Sequence, residues 1–308
     1  MIYCRVKFPK GAGLGTRLFP WARCVLFSHW HEIPMLSPEW VQPRIGPLLR
    51  GGLDLRAYHR QILLLGLFQR RQQEIYGFRK WQVQRSGRIE SEPETLATFS
   101  SEDYRQDEGT SLILEFEGAK NMFKDVSGWH ELLRQKLQAT TRQRWLSLVA
   151  AIGTVPIGIN VRLGNDFRKA STESDYFTQG AIRTPIPWFV DSLQQIRQAV
   201  GFPAQAVVVS DGTEEALREL LAMENVIFLR PGCAISDLLI LSNTKILLAS
   251  GGSSFSAWAS FLGQMPTISH PGQSLKWFGL GSPEHIVQAY DPGTPSSNFL
   301  AKVQGILA

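Results

Sequence analysis

The chain has 308 residues, 44% of them hydrophobic and 19% charged, with a formal net charge of +5. It is long enough for one large domain or two ordinary ones, and its composition excludes a disordered, low-complexity or collagen-like polymer. Three widely spaced cysteines, Cys4, Cys24 and Cys233, make no disulfide framework and read as reduced, buried thiols.

The chain opens MIYCRVKFPK, which lacks the apolar core of a signal peptide, so a soluble cytoplasmic protein is expected. Ile2 to Phe8 alternates as a strand. Gly11, Gly13 and Gly15 follow, and then Leu18, Trp21, Ala22, Val25 and Leu26 recur at helical spacing. Pro20 is expected in the first turn of that helix, where a missing N–H is harmless. A strand, a glycine turn and a helix whose first N–H groups face an anion make a nucleotide-binding opening. Arg56 to Phe68 reads as helical, Glu90 to Gly109 as an acidic surface excursion, and Leu112 to Phe116 as a strand ending at Glu117-Gly118. Trp129 to Leu148 reads as one long helix. The apolar run from Trp145 to Val161 is broken by Gly153, Pro156 and Gly158, and fits a helix end followed by a buried strand better than a membrane span.

The second half alternates strand and helix at short spacing. Strands are expected at Pro156–Val161, Ala206–Val209, Val226–Leu229, Ile246–Ala249 and Pro266–Ile268. Helices fall near Phe189–Val200, closed by Gly201, then after Thr213, at Asp237–Ser242 and at Phe255–Phe261. Unbroken apolar strands alternating with helices predict a parallel sheet covered on both faces. The expected architecture is α/β, with two Rossmann-like domains over residues 1–145 and 146–308 whose parallel sheets face a cleft that holds the ligand.

Three strand ends then collect candidate residues. The first delivers Asn160, Arg162 and Asp166, the second Ser210 and Asp211, and the third leads through Ser250-Gly251-Gly252 into Ser253, Ser254 and Phe255 at a helix start. Small residues and hydroxyls opening a helix cradle phosphate, and one arginine beside them can neutralise a diphosphate. Each residue also has an ordinary use. Arg162 can pair with Asp166, Asp211 can sit in a turn, and Ser253, Ser254 and Asp237 can cap helices.

Asn160-Val161-Arg162-Leu163-Gly164-Asn165-Asp166 resembles the His-x-Arg-x-Gly-x-Asp segment of protein O-fucosyltransferases and the His-x-Arg-Arg-x-Asp segment of α1,2- and α1,6-fucosyltransferases. Asp237-Leu238-Leu239-Ile240-Leu241-Ser242 with Ser253-Ser254-Phe255-Ser256-Ala257-Trp258 resembles the late block of the α1,2-enzymes. Gly13-Leu14-Gly15-Thr16-Arg17-Leu18-Phe19 is similar to their Gly-Leu-Gly-Asn-Gln-Leu-Phe turn. The resemblance implies a GT-B fold, a GDP-sugar donor such as GDP-fucose, a saccharide acceptor, inversion at the anomeric carbon and no required metal or other cofactor. It implies that Arg162 binds the β-phosphate, Asp166 supports that loop, Asp237 accepts from guanine, and Ser253, Ser254 and Phe255 hold the diphosphate, with Gly13 and Gly15 at the first turn. Asn160 stands where the family has histidine, and Thr16-Arg17 where it has Asn-Gln.

The acceptor hydroxyl needs a base. Asp166, Glu117, Asp54 and His59 are candidates, and Glu117, at a strand end of the first half, is preferred. His29 and His31 lack the partners of a metal site. Basic residues cluster at Arg56, Arg60, Arg70, Arg71, Arg79, Lys80, Arg85 and Arg88 against Glu74 alone. No zinc-finger or RNA-binding signature accompanies them, so nucleic acid is not expected. A solvated surface, or peripheral contact with the inner face of a membrane carrying a lipid-linked acceptor, are the two readings of that stretch.

Overall fold

The computed structural model describes residues 1–9, 11–40, 68–69, 74–100, 110–178, 180–229 and 233–308. Asp54, His59, Arg56, Arg60, Arg70, Arg71 and the helix expected from Arg56 lie outside these residues. The chain divides into two compact units, Met1–Leu146 and Ser147–Ala308.

In the first unit β1 (Ile2–Lys7), β2 (Arg88–Ser91) and β3 (Leu112–Glu117) form a parallel sheet in the order β1-β3-β2. Helix α1 (Leu14–Trp30) packs on one face of it, with Leu18, Trp21, Ala22, Val25 and Leu26 all buried and Phe27 5.3 Å from the Phe116 ring, while Ile113 on the other face packs with Leu36, Ile75 and Val83. Pro20 is the seventh residue of α1, not a first-turn residue. The helix starts earlier than the apolar spacing implied. Burial of Leu14, Leu18, Phe19 and Trp21 on both sides of Pro20 outweighs a lost helical bond worth about 3 kcal/mol. Glu90 and Ser91 are not part of a surface excursion. They end β2, an edge strand whose polar, half-exposed composition hides its pairing with β3.

Helix α2 (Gly77–Ser86) precedes β2. The single helix expected over Trp129–Leu148 is two, α3 (His130–Thr140) and α4 (Gln143–Ile152). The break has a local cause. Thr140 and Thr141 both turn their hydroxyls back to the Leu137 carbonyl, at 2.9 and 2.8 Å, and Thr141 is extended and bridges to Phe68.

The second unit holds β4 (Ile157–Val161), β5 (Ala206–Ser210), β6 (Val226–Phe228), β7 (Ile246–Ala249), β8 (Thr267–Ser269) and β9 (Val287–Ala289), all parallel, in the order β6-β5-β4-β7-β8-β9. Helices α5 (Ile186–Val200), α6 (Arg218–Leu221) and α9 (Ser297–Leu307) cover one face. Phe189, Leu193, Ile196, Leu220, Phe299 and Val303 pack there on Ile157, Ile159, Val161 and Val208. Helices α7 (Ala234–Leu241) and α8 (Ser254–Gly263) pack against each other, and both are largely buried. The chain enters this sheet at β4, runs outward to β6, then returns to β7 on the other side of β4. Strand order therefore reverses between β4 and β7, the place where open α/β sheets leave a crevice beyond the strand ends.

Candidate functional site

The ends of β4, β5 and β7 converge on Arg162. Its own backbone N–H donates to Ser250 Oγ at 2.9 Å, which ties β4 to β7 across the switch point. One residue on, the Leu163 N–H donates to Asp211 Oδ1 at 2.7 Å, which ties β4 to β5. The Arg162 guanidinium then bridges two carboxylates, with Nη1 at 2.7 Å from Asp211 Oδ2 and Nη2 at 2.7 Å from Asp166 Oδ2. It lies 5.2 Å from the centre of the Phe167 ring. The Asp211 side chain is 8% exposed, Arg162 25% and Asp166 65%. Asp211 is thus the structural anchor, and Asp166 the partner that an incoming anion can displace.

Gly164 is dictated by this clasp. A Cβ there would sit 2.5 Å from Asp211 Oδ2 and 2.7 Å from Asp166 Oδ1. Gly251 is dictated in the same way. A Cβ would come within 2.0 Å of Gln273 Cβ. The Gly251 N–H donates to Thr184 Oγ1 at 3.3 Å, the Thr184 hydroxyl donates to Gln273 Oε1, and Gln273 Nε2 donates to the Ile182 carbonyl. This buried chain fixes the turn that leads into α8. Ser253 caps α8, its Oγ accepting from the Ser256 N–H at 3.2 Å, and Ser254 and Phe255 follow as half-buried residues of the first turn. The Ser210 hydroxyl accepts from the Gly212 N–H at 2.9 Å.

Asn160, which stands where the resembled segment has histidine, faces inward. It is 1% exposed, and its Oδ1 accepts from Ser256 Oγ at 2.6 Å, tying β4 to α8. Asp237 lies in the first turns of α7 and is half-buried. The helix is capped by Cys233, not by Asp237.

The first-unit candidates have their own settings. Gly13 is the extended N-cap of α1, with open space where a Cβ would stand, and Gly15 is buried in the helix's first turn. Arg17 turns back into the protein, its Nε donating to the Ala12 carbonyl at 2.9 Å and its Nη1 to the Trp40 carbonyl, so it braces the glycine turn from behind. Glu117 ends β3, half-exposed, with Lys7 Nζ 2.8 Å from its carboxylate, and Glu117 and Glu115 together raise the Lys7 pKa. The turn after it is held by Arg23, fully buried, which pairs with both Glu92 oxygens at 2.8 Å and donates to the carbonyls of Glu117, Gly118 and Lys120.

The sequence pattern names Ser250 only as the lead into the α8 turn and does not name His270. Each is among the first residues after a short apolar strand, β7 and β8 respectively, and that position was the available signal. The His270 ring lies tilted against Tyr176, with centroids 4.6 Å apart, and takes the Gly272 N–H on Nδ1. Burial holds its pKa below the ordinary value.

No family model and no curated protein matches the sequence. The structure is similar to the α-1,6-fucosyltransferase NodZ co-crystallised with GDP, with a TM-score of 0.52 and 12% identity over 88% of this chain and 95% of that one. NodZ has been crystallised from Bradyrhizobium. POFUT1 in complex with GDP-fucose gives 0.45 at 13% identity, over 87% and 96% of the two chains. The likeness to NodZ shows a fucosyltransferase-like fold of the GT-B class in this chain.

Proposed function

We propose that this chain is an inverting, metal-independent glycosyltransferase that moves a sugar from a GDP-sugar, GDP-fucose or a close analogue, to a saccharide hydroxyl in surface-polysaccharide assembly. The observation that carries the reading is Arg162, a partly exposed cation fixed by Asp211 at the point where strand order reverses, on the fold of an enzyme co-crystallised with GDP. The acceptor oxygen attacks the anomeric carbon as the bond to the β-phosphate oxygen breaks, and the electron pair leaves with the diphosphate. Arg162 takes up that developing charge, releasing Asp166 as it does so, and the N–H groups opening α8 at Ser254 and Phe255 share it. Asp237 accepts from the guanine edge, Ser210 and Ser253 shape the turns, and Glu117 receives the acceptor's proton.

The test is to incubate the full chain with GDP-, UDP- and dTDP-sugars and follow nucleotide release. Arg162→Lys keeps the charge near Asp211 but loses the fork, and release should fall on the order of a hundred- to thousandfold. Wild-type turnover in that variant, or activity lost in EDTA and restored by Mn²⁺, would sink the mechanism. A second reading has its own observation, the buried and non-titrating Asn160. It makes the chain a GDP-sugar-binding protein without transfer, and tight GDP binding with no release from any donor selects it.

A further inference from the structure

We propose that the outer face of α2 docks the protein on an anionic lipid bilayer. The helix GFRKWQVQRS has one buried side chain, Val83. At 100° per residue, Phe78, Trp81 and Arg85 fall together on the opposite face. Phe78 is 70% exposed and Trp81 50%, and Tyr76, just before the helix, is 49% exposed. Between Tyr76 and Gly87 there is no acidic residue, but there are Arg79, Lys80 and Arg85. Lys80 is used internally, donating to the Ser37 carbonyl at 2.9 Å and pairing with Glu39 at 3.0 Å. Among the described residues, Arg79 and Arg85 pair with no carboxylate.

Two large exposed aromatics with Arg85 on the same face, and exposed Arg79 to one side, match the bilayer interface, where indole and phenyl rings enter the headgroup layer and guanidinium forks meet phosphate. The geometry disfavours the alternative of a stacking platform for sugar rings. The Trp81 ring already carries Phe78 at 5.6 Å, stacked at 21°, and the Arg85 guanidinium at 5.1 Å. Nor does the face form a groove for a peptide, because the aromatics project from it. The proposal stands apart from the nucleotide-sugar reading and uses none of its residues.

Sedimentation of the full chain with vesicles tests it. The protein should pellet with vesicles of phosphatidylcholine mixed with phosphatidylglycerol, much less with phosphatidylcholine alone, and progressively less as salt rises. F78S/W81S should lower partitioning about tenfold or more, and R79Q/R85Q on the order of tenfold with a flattened salt dependence. Both variants should keep the wild-type circular dichroism and thermal midpoint. Wild type that stays in the supernatant with anionic vesicles at low salt overturns the proposal, as does F78S/W81S that pellets like wild type. Retention on a neutral polysaccharide gel that F78S/W81S abolishes, without any vesicle binding, also overturns it by making the face a saccharide platform.

Discussion

Asp211 holds Arg162 by two routes at once: Oδ2 pairs with the guanidinium at 2.7 Å, and Oδ1 takes the N–H of the very next residue, Leu163, at 2.7 Å. One carboxylate thereby sets both the side chain and the backbone at the end of β4. Asp166 touches only the side chain, from solvent. The same arginine therefore has one buried partner and one exposed partner.

The two aspartates should separate cleanly. Asp211→Asn leaves a buried arrangement without its charge and should lower stability by about 3 kcal/mol, with loss of any donor binding. Asp166→Asn removes an exposed ion pair, and its effect on stability should stay below about 1 kcal/mol. Because Arg162 is then freer, GDP affinity should rise or hold. Urea unfolding and calorimetry read both, and equal destabilisation by the two variants would mean that Asp166 is structural too.

Gly13 and Gly164 make a matched pair. Gly164→Ala drives a Cβ into Asp211 and Asp166 and should lower both stability and GDP binding. Gly13→Ala meets nothing within the protein and has an ordinary negative φ, so the thermal midpoint should hold or rise slightly. If a substrate approaches the start of α1, turnover alone should fall in Gly13→Ala. Unchanged turnover would leave that glycine turn outside the reaction.

Much of this site could be read from sequence because parallel strands buried on both faces appear as unbroken apolar runs. Val207-Val208-Val209 and Ile246-Leu247-Leu248 announce where chain leaves sheet, and so Ser210, Asp211 and Ser250 fall at strand ends. What sequence does not carry is which way a polar residue inside such a run points. Asn160 sits two positions from Arg162, yet it faces α8 and is sealed, and only the pairing with Ser256 reveals this. Local breaks were similarly silent. The break at Thr140-Thr141 accompanies a bridge from Thr141 to Phe68, more than seventy residues earlier in the chain, which the sequence pattern does not announce. β2 is polar because it is an edge, and β9, at three residues, is short enough to escape notice.

The Asn160–Ser256 contact can be tested by itself. Ser256→Ala leaves a buried amide oxygen without its donor and should cost about 1–3 kcal/mol of stability. Asn160→His puts a larger ring into a fully buried slot between β4 and α8 and should destabilise by a similar amount. A stable Asn160→His variant with raised turnover would show instead that the slot accepts an imidazole and that the asparagine there limits the rate.

Asp237 is assigned to the guanine edge, and nucleotide choice checks the assignment. Guanine offers N1–H and N2–H₂ to one carboxylate, and uracil offers no such pair. Asp237→Ala should therefore weaken GDP binding by about 1–3 kcal/mol and leave UDP binding nearly untouched. Competition calorimetry with the two nucleotides measures the difference. An equal loss for both would place Asp237 in the packing of α7 instead.

His270 gives the fold a pH dependence whose sign follows from its surroundings. Burial against Tyr176 and Trp188 lowers its pKa below the ordinary 6.5, while Asp291 and Glu173 pull more weakly in the opposite direction. Its Nδ1 accepts the Gly272 N–H at 3.3 Å, which requires the unprotonated nitrogen. The unfolded chain takes up a proton as pH falls through about 6.5, and the folded chain resists until its lower value is reached. This contribution to stability is therefore complete above about pH 6.5 and is lost as pH falls through the window below it. His270→Asn should flatten that part of the stability profile, as read by urea midpoints at a series of pH values, while leaving the profile above pH 7 parallel to wild type. An unchanged acid limb in the variant would assign the pH dependence to the carboxylates alone.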